Sequence, residues 1–316
     1  MKAVFIEQFG GPEVVKIADV PTPTLQAGEV EISVVSAGVN PVDWKIREGL
    51  FKDRLPHNFP LVLGWDVSGV ITKCASDVKH LVEGDEVFAY IRKPVVQWGS
   101  FAEVACFQGK HVIRKPENLS FTQAAAIPLA SLTAWQTLNE SLHIKAGQTI
   151  LIHAGAGGVG GFAIQFAKQK GAVVITTASS KNHSYVKELG ADMVIDYTKE
   201  DFAKKIKEKY PKGIDAVFDT LGGKTLEASY SILKPQGRLT SIATPLTDKD
   251  GKKHNVLTGY VFVRPEGPHL TAIAHLLREN KVKPPEIKQF AFKEASQAIE
   301  DVKKGHTRGK TVINIG

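Results

Sequence analysis

Cysteine is scarce in this chain, since its 316 residues contain only Cys74 and Cys106. Two cysteines form neither a disulfide framework nor a cysteine-rich metal cluster, and this favours a reducing compartment. Long apolar runs are also missing, and none approaches the ~18 consecutive apolar residues of a membrane span. Residues 1–7 reach an acidic side chain before any long apolar segment, unlike a secretory signal peptide. We therefore expect a cytoplasmic protein with no membrane contact.

Basic residues exceed acidic ones, which gives a formal net charge of +7, but their distribution does not indicate nucleic-acid binding. The densest basic stretch consists of Lys204, Lys205, Lys207, Lys209 and Lys212. Phe202, Ile206 and Tyr210 recur every four residues through it, which is typical of one amphipathic helix with a solvated face. Because no aromatic-basic recognition pattern accompanies the lysines, we predict no nucleic-acid partner.

The pattern of strands and helices changes twice along the chain. Residues 1–122 contain short strands between glycines and prolines, which predicts a compact, mainly β domain. Residues 123–264 start with a helical region and then alternate strand and helix, which is typical of a parallel sheet covered on both faces. Residues 265–316 end in a strand, and we expect them to return to the first domain. The predicted fold class is α/β with a discontinuous first domain.

The strand predictions can be stated by position. In the first domain they fall at 3–6, 14–17, 30–35, 67–71, 86–90 and 100–105, and in the second at 149–152, 173–177, 193–196, 216–220 and 238–242. Helices are predicted between the later strands, around 162–170, 185–189, 202–209 and 225–233. Because these strands run parallel, a ligand is expected at their carboxyl ends.

A glycine-rich turn follows the strand at 149–152. Gly155, Gly157 and Gly160 have the spacing G-x-G-x-x-G and precede a helix-like segment. In a dinucleotide-binding turn, the first glycine permits the tight bend, the second lets the backbone approach a pyrophosphate, and the third lets helix and strand pack closely. The helix N-terminus favours negative charge. The alternative is a glycine-rich turn without a ligand. The predicted cofactor contacts in this turn are Gly155, Ala156, Gly157, Gly158, Val159 and Gly160.

The choice of nucleotide depends on the residues after the next strand. NAD-preferring sites of this kind carry Asp or Glu about 20 residues past the first glycine, where it accepts from the ribose 2′-hydroxyl. Here that stretch holds Ser179, Ser180 and Lys181 and no acid. A 2′-phosphate would be bound by these hydroxyls and this cation, and Tyr197 could reach the same edge. We therefore predict NADPH, with an exposed turn and helix start as the alternative reading.

Several motifs spread over nearly the whole chain carry a family resemblance. They are Gly28-Glu29-Val30, Ala37-Gly38-Val39-Asn40-Pro41-Val42-Asp43, Gly64-Trp65-Asp66-Val67-Ser68-Gly69, Gly84-Asp85-Glu86-Val87, Leu132-Thr133-Ala134-Trp135, Asp219-Thr220-Leu221-Gly222-Gly223 and Gly309-Lys310-Thr311-Val312, together with the glycine turn. With this order of domains the chain resembles the medium-chain dehydrogenase/reductase superfamily, in particular its zinc-independent quinone oxidoreductase (zeta-crystallin-like) branch. The resemblance implies a GroES-like, mainly β catalytic domain, a Rossmann domain with a doubly wound parallel sheet, and a homodimer.

The chain departs from the zinc alcohol dehydrogenases of that superfamily at the metal positions. Those enzymes have a cysteine where this chain has Asn40, and a His-Glu pair where it has Trp65 and Asp66. The cysteine-rich loop of their structural zinc is missing as well. Zinc requires three or four thiolate, imidazole or carboxylate ligands in tetrahedral reach, so we predict no metal.

Hydride transfer without a Lewis acid suits an acceptor that is already electron-poor. The resemblance points the same way, toward an NADPH:quinone oxidoreductase or a reductase of α,β-unsaturated carbonyls. It implies that the catalytic site contains Asn40, Asp43, Lys45, Trp65, Tyr90 and Thr133. It also implies that the cofactor contacts Asn40, Thr133, Thr220, Leu221, Ile242 and Ala243. Lys45 stands where several quinone reductases have tyrosine.

Two other functions remain open from the sequence. One is an NADP-linked reductase of small aldehydes or ketones, and the other is a redox sensor that binds NADPH without turnover, because fold does not fix function. His153, just before the glycine turn, could serve as a base. Its place at the end of a buried strand favours a structural histidine instead.

Overall fold

The computed structural model describes residues 1–305 and 307–316. The strands are β1 (Lys2–Ile6), β2 (Lys16–Asp19), β3 (Glu29–Val39), β4 (Leu61–Val62), β5 (Asp66–Cys74), β6 (Glu86–Tyr90), β7 (Val104–Gln108), β8 (Ile113–Arg114), β9 (Thr149–Ile152), β10 (Val173–Thr177), β11 (Met193–Ile195), β12 (Ile214–Asp219), β13 (Leu233–Ser241), β14 (Leu257–Tyr260), β15 (Ile287–Ala291) and β16 (Lys310–Asn314). The helices are α1 (Pro41–Arg47), α2 (Phe121–Ala125), α3 (Pro128–Gln136), α4 (Gly158–Gln169), α5 (His183–Glu188), α6 (Phe202–Lys209), α7 (Gly223–Ser229), α8 (Asp248–His254), α9 (Gly267–Arg278) and α10 (Ala295–Lys304). In the described part of the chain, no helix combines the length and apolar character needed to cross a bilayer.

The chain divides into two compact units. The first unit comprises Met1–Leu129, Arg264–Asn280 and Pro284–Gly316, and the second comprises Ala130–Val263 and Lys281–Lys283. The first division falls at Leu129 rather than after residue 122 because α2 packs against β3 and β5. The short excursion at Lys281–Lys283 has a similar local cause, since the Lys283 amide donates to Gln165 Oε1 at 2.7 Å.

The first unit is mainly β, as predicted. Its larger sheet has the order β15-β16-β3-β5-β6-β8, with β7 also paired to β3, and its smaller sheet has the order β2-β1-β4. The closing strand β16 pairs antiparallel with β3, so the C-terminal segment completes this sheet. Long β3 is paired along both edges, and its residues are nearly all buried.

Two strand predictions in the first unit were wrong in position. A 3-10 turn at Pro12–Val14 occupies the start of the segment predicted at 14–17, and β2 begins only at Lys16. Proline fixes φ and lacks a donor, which suits this turn and not a paired strand. The strand predicted at 100–105 is β7, which starts at Val104. Before it, Phe101 makes isolated bonds to Val4 and Leu63.

The second unit is the predicted doubly wound parallel sheet. Its strand order is β11-β10-β9-β12-β13-β14, and every neighbouring pair is parallel. Residues of four central strands share one buried core that includes Leu151, Ile175, Val217 and Leu239. The order reverses between β9 and its neighbours β10 and β12, which is where open α/β sheets bind ligands.

The basic stretch in the second unit is one amphipathic helix, as predicted. Most of it forms α6, in which Ile206 is fully buried and Phe202 packs against the same core, as does Tyr210 at the C-cap; Lys212 lies in the turn that follows. The lysines of α6 are exposed. The regular spacing of these apolar residues therefore reflects core packing, with the lysines left in solvent.

Candidate functional site

The carboxyl edge of the second unit's sheet brings together most of the predicted cofactor contacts. The glycine turn follows β9, and Ser179, Ser180 and Lys181 follow β10. Tyr197 comes two residues after β11, Thr220 and Leu221 follow β12, and Ile242 and Ala243 follow β13. Because parallel strands end at one edge, segments far apart in sequence share one surface. Tyr197 and Leu221 are 49% and 54% exposed there, which is unusual for large side chains with apolar character.

The three glycines of the turn differ in what constrains them. A Cβ added at Gly155 would lie 2.1 Å from Thr176 Oγ1, and one added at Gly160 would lie 2.4 Å from the carbonyl oxygen of Ala154. A Cβ at Gly157 would lie 3.4 Å from that same oxygen, an ordinary contact distance. The packing of the protein itself therefore requires glycine at 155 and 160. Internal packing does not explain why position 157 is glycine, whereas a ligand that approaches the backbone there would explain it.

The N-terminus of α4 suits an anion. Gly157 is its N-cap residue, with extended backbone and no side-chain hydrogen bond to the first turn. The first amides of a helix lack partners inside the helix and carry its positive dipole end. Without a capping side chain, the amides of Gly158 and Val159 are left for an outside acceptor. The free amides of the helix start, together with a glycine at position 157 that internal packing does not require, suit the binding of a dinucleotide pyrophosphate.

His153 is a structural histidine, as predicted. Its ring nitrogens lie 3.3 Å from Thr177 Oγ1 and 3.0 Å from Ser229 Oγ, and its side chain is fully buried. The ring also packs edge-on against Phe202. Burial lowers the pKa of His153 to about 4, so the ring is neutral near pH 7. Thr177 also accepts from the Ala154 amide at 3.0 Å, which ties β10 to the start of the turn.

The predicted phosphate-binding residues after β10 have an acidic neighbour that the local sequence does not reveal. The Ser180 hydroxyl donates to Asp196, which directly follows β11. Asp196 is 4% exposed and also accepts from the Thr198 amide and hydroxyl, at 3.0 and 2.7 Å. Lys181 and Tyr197 have no hydrogen-bond partner among residues 1–305 and 307–316, so their polar ends are open to a ligand.

The loops after β12 and β13 are held by a pair of buried side chains. Asp219 accepts from the amides of Leu221 and Gly222 and from Ser241 Oγ. Ser241 Oγ in turn accepts from the amides of Ala243 and Thr244. These bonds fix the backbone of the segments predicted to contact the cofactor. The sequence pattern around Asp219 does not by itself predict this role.

In the first unit, the predicted residue Asn40 lies in a buried polar cluster. Its Oδ1 accepts from the Lys310 ammonium at 2.5 Å, and its Nδ2 donates to Asp66 Oδ2 at 2.9 Å. Asp43 accepts from the Asn40 amide at 2.7 Å, and Lys310 lies 3.6 Å from Asp66 Oδ2. The cluster therefore contains two carboxylates, one ammonium and one amide. The side-chain amide of Asn40 is fully engaged within it.

Burial controls the charges of this cluster. Loss of solvent raises the pKa of Asp43 to about 7 and raises the pKa of Asp66 above its usual range. The same burial lowers the pKa of Lys310, although both carboxylates oppose that change. Among the described residues Asp43 Oδ1 is buried without a hydrogen-bond partner, and the loss of solvent outweighs the stabilisation of its charge by the Asn40 amide and by Lys310. Asp43 is thus the carboxyl of the cluster that protonates near neutral pH.

The donor set of this cluster does not fit zinc. The resemblance places Asn40 at the cysteine of the zinc alcohol dehydrogenases and Asp66 at the Glu of their His-Glu pair, but the oxygens of both residues already bind the Lys310 ammonium. An amide, a carboxylate and an ammonium do not supply the three or four thiolate or imidazole ligands that zinc prefers. Among the residues that the structure describes, no group of three or more His, Cys, Asp or Glu could hold a metal ion.

The remaining predicted catalytic residues have different environments. Trp65 and Tyr90 are 4% and 1% exposed in the first unit, with ring centroids 6.0 Å apart. Lys45 is half-buried on α1, and its ammonium lies 5.6 Å from the centroid of the Trp44 ring. Burial lowers the pKa of Lys45. Thr133 lies on α3 of the second unit and is buried.

The chain matches two protein families. Residues 26–117 match the alcohol dehydrogenase GroES-like domain, and residues 189–313 match the family described as zinc-binding dehydrogenase. The chain is 35% identical to mouse (Mus musculus) mitochondrial NAD(P)H oxidoreductase RTN4IP1, over 100% of this chain and 89% of that protein. It is also 35% identical to the chloroplastic NADPH-dependent alkenal/one oxidoreductase of Arabidopsis thaliana, over 99% of this chain and 79% of that protein.

A solved structure gives the same fold. The quinone oxidoreductase of Coxiella burnetii superposes with a TM-score of 0.90, covering 100% of this chain and 99% of that one at 38% identity. Together with the domain order, the glycine turn and the zinc-incompatible cluster, these similarities confirm the resemblance. The chain belongs to the medium-chain dehydrogenase/reductase superfamily, in its zinc-independent quinone oxidoreductase branch, and is an oxidoreductase that uses a nicotinamide cofactor.

Proposed function

We propose that this protein transfers a hydride from NADPH to a quinone or to an α,β-unsaturated carbonyl compound. The observation that carries the proposal is the turn between β9 and α4, where the first amides of the helix have no capping side chain and Gly157 has no packing requirement. The printed names of the Coxiella and Arabidopsis relatives, a quinone oxidoreductase and an alkenal/one oxidoreductase, support this class of acceptor.

The preference for NADPH rests on donors at the carboxyl edge of the second unit's sheet. The side chains of Lys181 and Tyr197 have no hydrogen-bond partner among the described residues; Lys181 follows β10, which neighbours β9, and Tyr197 follows β11, the next strand outward. A 2′-phosphate accepts hydrogen bonds and attracts cations, so an ammonium and a phenol are suitable partners. When bound, NADPH would supply the hydride, and the protein would supply binding and orientation.

The buried cluster of the first unit supports an electron-poor acceptor. With the oxygens of Asn40 and Asp66 bound to Lys310, this cluster supplies no metal-ligand set to stabilise the alkoxide of a simple alcohol. Quinones and enones accept hydride with less assistance. Lys45, whose ammonium has no hydrogen-bond or ion-pair partner in the described part of the chain, is our candidate donor to the developing oxyanion.

Steady-state oxidation of NADPH with matched panels of quinones, enals or enones, and saturated aldehydes tests the proposal. We expect turnover with quinones or enones and little with saturated aldehydes. Faster turnover of saturated aldehydes would support the alternative reductase, and tight binding of NADPH without its oxidation by any acceptor would support a redox sensor.

Lys181→Ala should raise the Kd of NADPH and leave that of NADH nearly unchanged. Equal effects on both would contradict the predicted phosphate contact.

We also propose a homodimer. Among the strands that the structure describes, β14 pairs only with β13 and so forms an edge of the parallel sheet, and its Leu257 is 42% exposed. Unpaired strand edges are templates for pairing with a second chain. Light scattering should give twice the chain mass for the wild type and a lower mass for Thr258→Pro, which interrupts the edge. A monomeric wild type at micromolar concentration would overturn the dimer. The cytoplasmic location stays a prediction.

A further inference from the structure

Asp196 and Ser180 connect two neighbouring strand ends at the edge of the sheet where the nucleotide is proposed to bind. Ser180 follows β10 and Asp196 follows β11, and the serine hydroxyl donates to the aspartate carboxylate. The carboxylate is buried, and its other oxygen accepts both bonds from Thr198. The arrangement is therefore built into the fold and does not depend on one exposed side chain.

The hydrogen bond decides what Ser180 can offer to a ligand. A serine hydroxyl has one proton and two lone pairs, and here the proton is directed to Asp196. Hydrogen bonds from Ser180 and Thr198 hold the pKa of Asp196 far below its usual range, so this carboxylate remains ionised at physiological pH. Ser180 consequently presents lone pairs, and not a proton, to an approaching ribose.

The two nicotinamide cofactors differ at this point. The 2′-hydroxyl of NADH can donate a hydrogen bond, whereas the 2′-phosphate of NADPH can only accept at neutral pH. Lone pairs on Ser180 thus suit NADH, while the ammonium of Lys181 and the phenol of Tyr197 suit NADPH. Lys199, whose ammonium lies 3.8 Å from Asp196 Oδ2, partly balances the carboxylate charge. The same edge carries elements for both cofactors.

We propose that Asp196 is a specificity-determining positioning residue which, by orienting the Ser180 hydroxyl, lets the protein accept NADH as well as NADPH. In NAD-preferring sites an acidic residue after the second strand contacts the ribose directly. Here the acid comes from the third strand and acts through a serine. The proposal rests on the nucleotide site proposed above. A purely structural Asp196 would fasten the turn after β11 without affecting the choice of cofactor.

The test measures the Kd of NADPH and of NADH by titration calorimetry, so that it does not depend on an acceptor. Asp196→Asn keeps an acceptor oxygen for Thr198 and offers Ser180 an amide donor, which releases the serine proton. We expect Asp196→Asn to weaken the binding of NADH and to strengthen the binding of NADPH. The ratio of the two Kd values should change about tenfold. Ser180→Ala alone should weaken the binding of NADH. It should weaken the binding of NADPH only when it is combined with Asp196→Asn.

The controls separate this proposal from the proposed nucleotide site. Glu208→Gln removes an exposed negative charge from the neighbouring helix α6 and should leave the ratio of Kd values unchanged. Equal weakening of both cofactors by Asp196→Asn, or an unchanged ratio with an intact melting temperature, would overturn the role of Asp196. Failure of the wild type to bind either cofactor would instead overturn the nucleotide site.

Discussion

Asp219 and Ser241 end adjacent strands of the second unit, and their buried side chains are joined by a hydrogen bond of 2.6 Å. Each of them also accepts from two backbone amides of the loop that follows its own strand. Buried loop amides without partners would be costly, and the pair satisfies four of them. The pair therefore determines the shape of two loops that we predict to contact the cofactor.

Removing either member of this pair should weaken both the fold and cofactor binding. Asp219→Asn replaces one of the two accepting carboxylate oxygens with an NH2 group. That group is a donor and would face other donors. Ser241→Ala removes the acceptor of two amides. We expect each variant to lose about 2 kcal/mol of unfolding free energy, as for hydrogen bonds to a charged group, and to raise the Kd of NADPH. Urea unfolding and calorimetry measure the two effects.

The double variant and a matched control test the coupling. Asp219→Asn with Ser241→Ala should cost less than the sum of the single changes, because the two residues share one network. Ser231→Ala, which removes an exposed hydroxyl bonded to the Ala228 carbonyl, should change stability by less than about 0.5 kcal/mol. Additive costs would show that the two loops are held independently.

Sequence periodicity predicted the second unit well because its signal is local. Strands β9 and β10 and helix α6 have the predicted bounds, since a short apolar run or a repeat of four residues specifies each of them. The prediction missed α1, although Pro41 follows the N-cap Asn40 and Asp43 completes a capping box. It also missed β15, which has mostly polar, partly exposed residues and exists by pairing with β16. Tertiary pairing, which the local pattern does not encode, decides such elements.

The partners of the site residues were the least predictable feature. Asn40 and Lys310 are far apart in the chain and meet because β16 pairs with β3. Asp196 likewise reaches Ser180 only through the neighbouring positions of β10 and β11. A window of sequence after β10 contains no acid, although the folded site does. Residue types at single positions therefore indicated the class of ligand. They did not indicate the hydrogen bonds between site residues that come from different strands.

Lys310 should be among the most important residues for stability of the first unit. Lys310→Met leaves the buried carboxylates of Asp43 and Asp66 without their cation, which typically costs about 3–5 kcal/mol. Adding Asp66→Asn should restore part of this loss, because one uncompensated charge disappears. Lys288→Met on neighbouring β15 removes a partly exposed ion pair with Asp301 and should cost less than about 1 kcal/mol. Similar urea midpoints for Lys310→Met and Lys288→Met would contradict a buried ionic cluster.

Asp43 should make stability decrease with pH in a defined window. Its pKa is raised from 3.8 in the unfolded chain to about 7 in the fold, so between these values the folded state holds a proton that the unfolded state has lost. The contribution of this group therefore falls as pH rises from about 4 to 7, by on the order of 4 kcal/mol, and is constant above pH 7.

Asp43→Asn removes this titration while keeping an acceptor for the Asn40 amide. Urea unfolding from pH 4 to 9 measures the free energy of unfolding of the wild type and of the variant. As pH rises to 7, the wild type should lose stability relative to the variant, and above pH 7 the difference between them should stay constant. A difference that stays constant between pH 5 and 8 would show that Asp43 is ionised in the fold throughout.

The glycines of the turn before α4 offer the most direct separation of folding from binding. Gly160→Ala places a Cβ 2.4 Å from the Ala154 carbonyl oxygen, a rigid backbone atom, so α4 must shift and stability must fall. Gly157→Ala places its Cβ at an ordinary contact distance, and φ −78° with ψ 169° is open to alanine. We therefore expect Gly157→Ala to keep the melting temperature within about 2 °C and to weaken NADPH at least about tenfold, because the new methyl group meets the pyrophosphate. Gly160→Ala should lose both stability and affinity. Wild-type NADPH affinity in Gly157→Ala would place the pyrophosphate away from this turn, whereas loss of affinity at an unchanged melting temperature can only arise from a ligand that approaches the backbone at Gly157.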